Sequence, residues 1–167
     1  MNKKINQLTD YPLHVKNTAG EPVWLSGDVY SVKLTNEQTG GKISFIDSSV
    51  PPGGGPPEHI HADSDEIIFV AAGEVEITVG ENRYAATQGD LVYIPRNTPH
   101  CFSNLSLHYA RLLFYFNPAG IEKFFIEAGK PASAGILPPV YDDEHNKNAV
   151  AIGIKYNTFQ KKNHQNN

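Results

Sequence analysis

From Val23 onward, apolar and β-branched residues come in short runs, each stopped within a few positions by Gly, Pro, Asn or Asp. That is the pattern of an antiparallel sandwich or barrel. The runs predict strands over 29–34, 42–49, 58–61, 66–71, 74–79, 83–87, 91–94, 100–106 and 108–116. Ala72-Gly73 and Gly80-Glu81-Asn82 separate three successive runs and predict a meander. Ala62 to Asp65 reads as a tight connection that folds the run after it back beside 58–61. Near Asn117 the period changes. Asn117 is placed to cap a helix, Pro118 suits the first helical position, and Phe116 can staple onto Ile121. Ile121, Phe124, Phe125 and Ala128 then form one apolar stripe, suited to core or dimer packing, before Gly129 and Pro131 end it. Residues 131–139 read as a linker and 141–152 as a second helix. The expected organisation is a polar N-terminal arm (1–22), an all-β barrel (23–116), a C-terminal helical extension (117–160) and a disordered tail (161–167).

A chain of 167 residues is long enough for one domain with a sizeable core. The formal charge of −4 and pI near 5.9, with Lys and Arg scattered, provide no footprint for nucleic acid. A single cysteine, Cys101, excludes an internal disulfide framework, and the N-terminus lacks an apolar segment behind its two lysines. No apolar run approaches the ~20 residues of a membrane span. These features lead us to expect a cytoplasmic protein with no membrane partner.

The chemistry concentrates in GGGPPEHIHADSDEIIFVAAG, residues 53–73. On an extended strand His59 and His61 leave the same face and form a chelating pair. Glu66 follows at the head of an apolar run, and two imidazoles with one carboxylate are a ligand set for a divalent transition metal with open positions. His100 resumes a strand after Pro95-Arg96-Asn97-Thr98-Pro99 and is the candidate third imidazole. Cys101 then points to the opposite face and reads as a packed thiol. Phe102 and Asn104 share the His100 face, and Ile68 and Val70 share that of Glu66, where an apolar wall is expected to raise its pKa. Phe102, Ile68, Asn104 and Phe45 are the candidate pocket residues; whether Ile43 and Phe45 or Ser44 and Ile46 turn inward, parity alone leaves open. Arg111 reads as a surface or structural ion-pairing residue, and Glu58 as a carboxylate directed away from the metal.

The spacing Gly53-x5-His59-x-His61-x4-Glu66-x6-Gly73 resembles the first conserved motif of the cupin superfamily, and Gly89-x5-Pro95-x4-His100-x3-Asn104 resembles the second. Asn97 stands where the family usually has glycine, and asparagine tolerates the positive φ that such a turn uses. The resemblance implies a double-stranded β-helix, or jelly roll, with one or two C-terminal helices. GPPEHIHADSDEIIFVAAGEVEITVG, GDLVYIPRNTPHCFSN and FNPAGIEKFF are further similar to small single-domain cupins grouped with quercetin 2,3-dioxygenase. That similarity implies one divalent metal per chain, from among iron, manganese, nickel, copper, cobalt and zinc, held at His59, His61, Glu66 and His100. It also implies dioxygen as co-substrate of a small enolic or aromatic compound, with Glu66 as proton acceptor. An isomerase or lyase using the metal as Lewis acid and a non-catalytic small-molecule-binding module are the alternatives. Exposed sheet edges and the apolar stripe predict a homodimer.

Overall fold

A computed structural model describes residues 12–140 and 142–160. The first eleven residues of the expected arm, Tyr141 at the expected start of the second helix, and the expected disordered tail lie outside the described residues. In chain order the elements are β1 (Pro22–Leu25), β2 (Asp28–Leu34), α1 (Asn36–Thr39), β3 (Ser44–Val50), β4 (His59–His61), β5 (Asp65–Ala72), β6 (Glu74–Val79), β7 (Asn82–Thr87), β8 (Leu91–Ile94), β9 (His100–Ser103), β10 (Ala110–Asn117), α2 (Glu122–Ala128), β11 (Lys130–Pro131), α3 (Asp143–Lys155) and β12 (Thr158–Gln160).

Two antiparallel sheets, ordered β11-β1-β2-β3-β10-β5-β8 and β12-β4-β9-β6-β7, form a double-stranded β-helix. Alternation drives their pairing. Ile46, Ile68, Leu112 and Phe114 from the larger sheet share one buried core with Val75, Ile77 and Phe102 from the smaller. The parity of β3 is now settled: Ser44, Ile46, Ser48 and Val50 face in, while Phe45, Asp47 and Ser49 face out. On that outer face Arg111 forms a two-bond ion pair with Asp47, at 2.9 and 2.7 Å.

Two expected connections are corrected. Strand β5 pairs with β10 and β8, whereas β6 pairs with β7 and β9, so the meander is reduced to the β6–β7 hairpin. Gly73, at φ 77°, carries the chain from one sheet to the other, and a Cβ there would lie 2.9 Å from the Ala110 Cα. Likewise β4 pairs with β9 and β12, not with β5, so Ala62 to Asp65 also crosses between sheets.

Asn117 is drawn into the sheet opposite Asp65, and its Nδ2 donates to the Lys42 carbonyl at 2.7 Å, so it caps no helix. Helix α2 begins at Glu122. Its stripe packs inward: Ile121 and Phe125 are buried in the chain's own core, with Phe124 and Ala128 against it. The stripe is therefore not available to a second subunit. Glu122 is fully buried; Oε1 accepts the Asn36 N–H at 2.8 Å and Oε2 the Gly120 N–H at 2.7 Å, tying α1 to α2. Glu122→Ala should orphan both donors and lower stability by about 3 kcal/mol in urea denaturation, with the midpoint reduced at unchanged slope. An unmoved midpoint would refute the tie.

Helix α3 spans Asp143–Lys155, later than the expected 141–152, because Asp142 supplies the cap by accepting the His145 N–H at 3.0 Å. Among the described residues no helix is long and apolar enough to cross a membrane.

Candidate metal centre

His59 and His61 stand on one face of β4, and His100 stands on β9 directly opposite His59 in the ladder. Glu66 enters from β5 in the other sheet, so imidazoles and carboxylate meet across the barrel interior. One ligand atom from each of the four residues lies within 4.8 Å of all the others. His61, Glu66 and His100 are only 5%, 4% and 2% exposed.

The ring nitrogens away from the cluster are all engaged. His59 Nδ1 lies 2.9 Å from the Pro57 carbonyl and His100 Nδ1 2.8 Å from the Thr98 carbonyl. Carbonyls only accept, so both Nδ1 atoms carry a proton, and in the neutral imidazoles both Nε2 atoms present lone pairs. His61 Nδ1 meets the Thr158 hydroxyl at 3.1 Å, and that hydroxyl donates onward to the Tyr156 carbonyl at 3.4 Å, which leaves its oxygen to accept from His61. Inside the cluster, His100 Nε2 and His61 Nε2 lie 2.9 and 3.4 Å from Glu66 Oε2. His100 Nε2 and Glu66 Oε2 nevertheless remain buried without hydrogen-bonding geometry. Buried acceptors converging with no donor between them are what a bound cation would satisfy, so the donor set fits a divalent transition metal.

Electrostatics correct one expectation. Burial pushes the Glu66 carboxyl up, but the charge and contact of His100 and His61 outweigh it, holding the group well below the usual carboxylate range rather than raised. Burial lowers His100, and the Glu66 carboxylate more than reverses that. Burial and the neighbouring imidazoles His100 and His61 push His59 well below its ordinary value. The loop before His100 is fixed from the Glu66 side: Arg96 pairs with Asp65 through Nε at 2.9 Å and its backbone N–H at 3.0 Å. Hydrogen bonds from Arg96 hold the Asp65 carboxyl down at about 2. Asn97 takes φ 63°, the conformation anticipated for a residue in the place of glycine.

Above the cluster lies a cavity of about 70 Å³ whose walls include Tyr30, Phe102, Phe114, Phe116, Phe124 and Phe125. Phe102 is the one pocket candidate read from the sequence that lines it. Ile68 and Asn104 are fully buried elsewhere, Asn104 donating to the Val50 and His108 carbonyls, and Phe45 faces out beside Leu13 and Leu113. The sequence reading missed Tyr30 and the Phe114/Phe116 face as walls, though the alternation of β10 already grouped Phe114 with Phe116. It also missed Ala149, Val150, Gly153, Thr158 and Gln160, which close the cavity from the C-terminal segment. Cys101 points away from the cluster, and burial raises its thiol.

Two facing antiparallel sheets wound around three imidazoles and a carboxylate define a barrel built to hold an ion or small ligand inside. A cupin domain model matches residues 47–116. Protein SchB of Streptomyces halstedii is 32% identical over 93 residues, covering 55% of this chain and 67% of that protein. The chain belongs to the cupin superfamily. The quercetin 2,3-dioxygenase of Bacillus subtilis (strain 168) is 28% identical over 133 residues, 80% of this chain. The chain spans only 39% of that protein's length. Among solved structures, an RmlC-like cupin from Shewanella frigidimarina NCIMB 400 superposes with a TM-score of 0.58 at 18% identity, covering 67% of this chain and 96% of that one.

Proposed function

We propose that the protein is a metal-dependent dioxygenase of a compact, uncharged enolic or phenolic compound. The observation that carries this reading is the convergence of imidazole lone pairs and the Glu66 carboxylate at one end of an aromatic-walled cavity. A divalent transition metal bound there would supply Lewis acidity toward an enolate oxygen and, for the redox-active ions, a route for electron density to dioxygen. The residues provide the rest. His59, His61 and His100 bind as neutral imidazoles. Glu66, ionised and the only acidic side chain among the described lining residues, would accept the proton of an enolic hydroxyl whose own acidity the bound metal had raised, since a carboxylate held this low is too weak a base to do so unaided. The phenylalanine walls orient a flat substrate and exclude bulk water.

Substrate charge and size follow from the lining. It contains no Lys or Arg among the described residues, so a carboxylate or phosphate on the substrate would find no partner. At about 70 Å³ the cavity is far below the ~300–1,000 Å³ of pockets for drug-sized ligands, too small for a three-ring flavonol as it stands. The distant similarity to the Bacillus quercetin 2,3-dioxygenase supports the reaction class, and the small cavity favours a single-ring enol. Oxygen-electrode assays of metal-loaded protein should find consumption with single-ring enols and enediols exceeding that with flavonols. Loaded protein that consumes no oxygen with any of them would sink the proposal, and turnover under anaerobic conditions would replace it with an isomerase or lyase.

A further inference from the structure

Two of the three cluster histidines are oriented by the chain just before their own strands: His59 and His100 each use the carbonyl two residues before them. His61 differs. Its Nδ1 partner is the Thr158 hydroxyl, 97 residues away in sequence. Strand β12 places it there by pairing with β4, Thr158 lying opposite His61 and Gln160 opposite His59. Local bonds hold that register. The Ala62 N–H donates to the Asn157 carbonyl at 2.9 Å, and Asn157 Nδ2 donates to Asp63 at 2.6 Å. One residue back from Asn157, the Tyr156 hydroxyl donates to Glu127 of α2 at 2.6 Å.

We propose that Thr158 is a positioning residue for the metal centre, its hydroxyl fixing His61 in the tautomer whose Nε2 lone pair faces Glu66 and His100. The argument is one of direction. The Thr158 hydroxyl donates to the Tyr156 carbonyl at 3.4 Å, and with its proton there its oxygen accepts from His61 Nδ1 at 3.1 Å. A neutral imidazole protonated at Nδ1 is unprotonated at Nε2, the nitrogen that lies 3.4 Å from the Glu66 carboxylate. Without that acceptor the opposite tautomer, with its Nε2 proton donated to Glu66, is the better-satisfied one, and it must be undone before a cation binds. Outer partners of this kind typically alter metal affinity by roughly 10- to 100-fold. The C-terminal segment is thus a working part of the centre as well as a wall of the cavity.

The inference rests on the metal-centre reading, and the experiment separates the two. Thr158→Val keeps the shape and removes the acceptor; Thr158→Ser restores it. Zinc and manganese affinities are measured by competition with a chromophoric chelator, and the His61 tautomer by nitrogen-15 chemical shifts in metal-free protein. The valine variant should lose about 10- to 100-fold in affinity and shift His61 toward the Nε2-protonated form, while the serine variant retains both wild-type values. A valine variant with wild-type affinity and an unchanged tautomer overturns the role of Thr158. Wild-type protein that binds neither metal overturns the metal reading, and the tautomer comparison still decides whether Thr158 orients His61.

Discussion

Replacing His100 with alanine is expected to reduce metal content from about one ion per chain to near none, and His59→Ala should do the same. His100 makes the shortest approach to Glu66 in the cluster, 2.9 Å, and the Thr98 carbonyl on its Nδ1 fixes the ring so that Nε2 faces the site. Removing it leaves two imidazoles and a buried carboxylate. The measurement is plasma mass spectrometry on protein purified without chelator or a metal-affinity tag, with circular dichroism to establish that each variant is folded. Stability should follow occupancy. At free metal about 1,000-fold above Kd, binding contributes about 4 kcal/mol, or roughly 8–16 °C in Tm for a chain of this size. Chelator should remove that increment from the wild type and change neither variant. Wild-type protein that takes up none of the candidate metals would end the reading of this site as a metal centre.

Asp28→Asn is expected to stabilise the protein at neutral and alkaline pH. Asp28 is fully buried, and its Oδ2 accepts the Tyr30 hydroxyl at 3.0 Å. Burial raises its carboxyl from 3.8 to about 7, against the lowering by hydrogen bonds from Tyr30 and the Gly55 backbone. A raised acid binds its proton more tightly in the folded state. Its contribution to stability is therefore full below about pH 4, declines as pH rises toward 7, and is flat beyond. The shift corresponds to on the order of 4 kcal/mol of destabilisation at pH 8. Asparagine mimics the protonated carboxyl in shape and charge, and any weakening of the Tyr30 bond offsets about 1 kcal/mol. Urea denaturation of wild type and variant between pH 4 and 8 should give curves that meet at the acid end and diverge above it. Parallel curves would contradict a buried, raised Asp28.

Asp28 was invisible to sequence reading for a physical reason. An Asp beside Gly27 is ordinarily a turn residue, and nothing local reveals that the chain before His59 folds over it. There a Cβ on Gly54 would come within 2.5 Å of Asp28 Oδ1. The helix start near Asn117 failed for a related cause. Asn, Pro and an apolar stripe satisfy the local rules for a cap, but pairing with Asp65 extends β10 through Asn117, and the helix begins only at Glu122. Tertiary pairing outweighed capping preference. By contrast the stripe itself, the stop at Gly129 and the turn at Asn97 were legible, because each depends on a few consecutive residues.

By itself the sequence determined the chemistry of the centre and the faces that carry it. His59 and His61 as a pair on one face follow from residue type and a two-residue period, with His100 offered as a candidate third imidazole, and the all-β architecture and the outward direction of Cys101 follow from the same pattern. The tertiary structure alone decided how those faces meet. Glu66 reaches the imidazoles from the opposite sheet rather than from a neighbouring strand, because the chain crosses between sheets after His61. It also decided that β12, three residues in a polar stretch, pairs with β4, bringing Thr158 to His61 and closing the cavity with α3. Period and composition report which side of a strand is buried. Which distant segment buries it depends on long-range packing, and that leaves no local pattern to read.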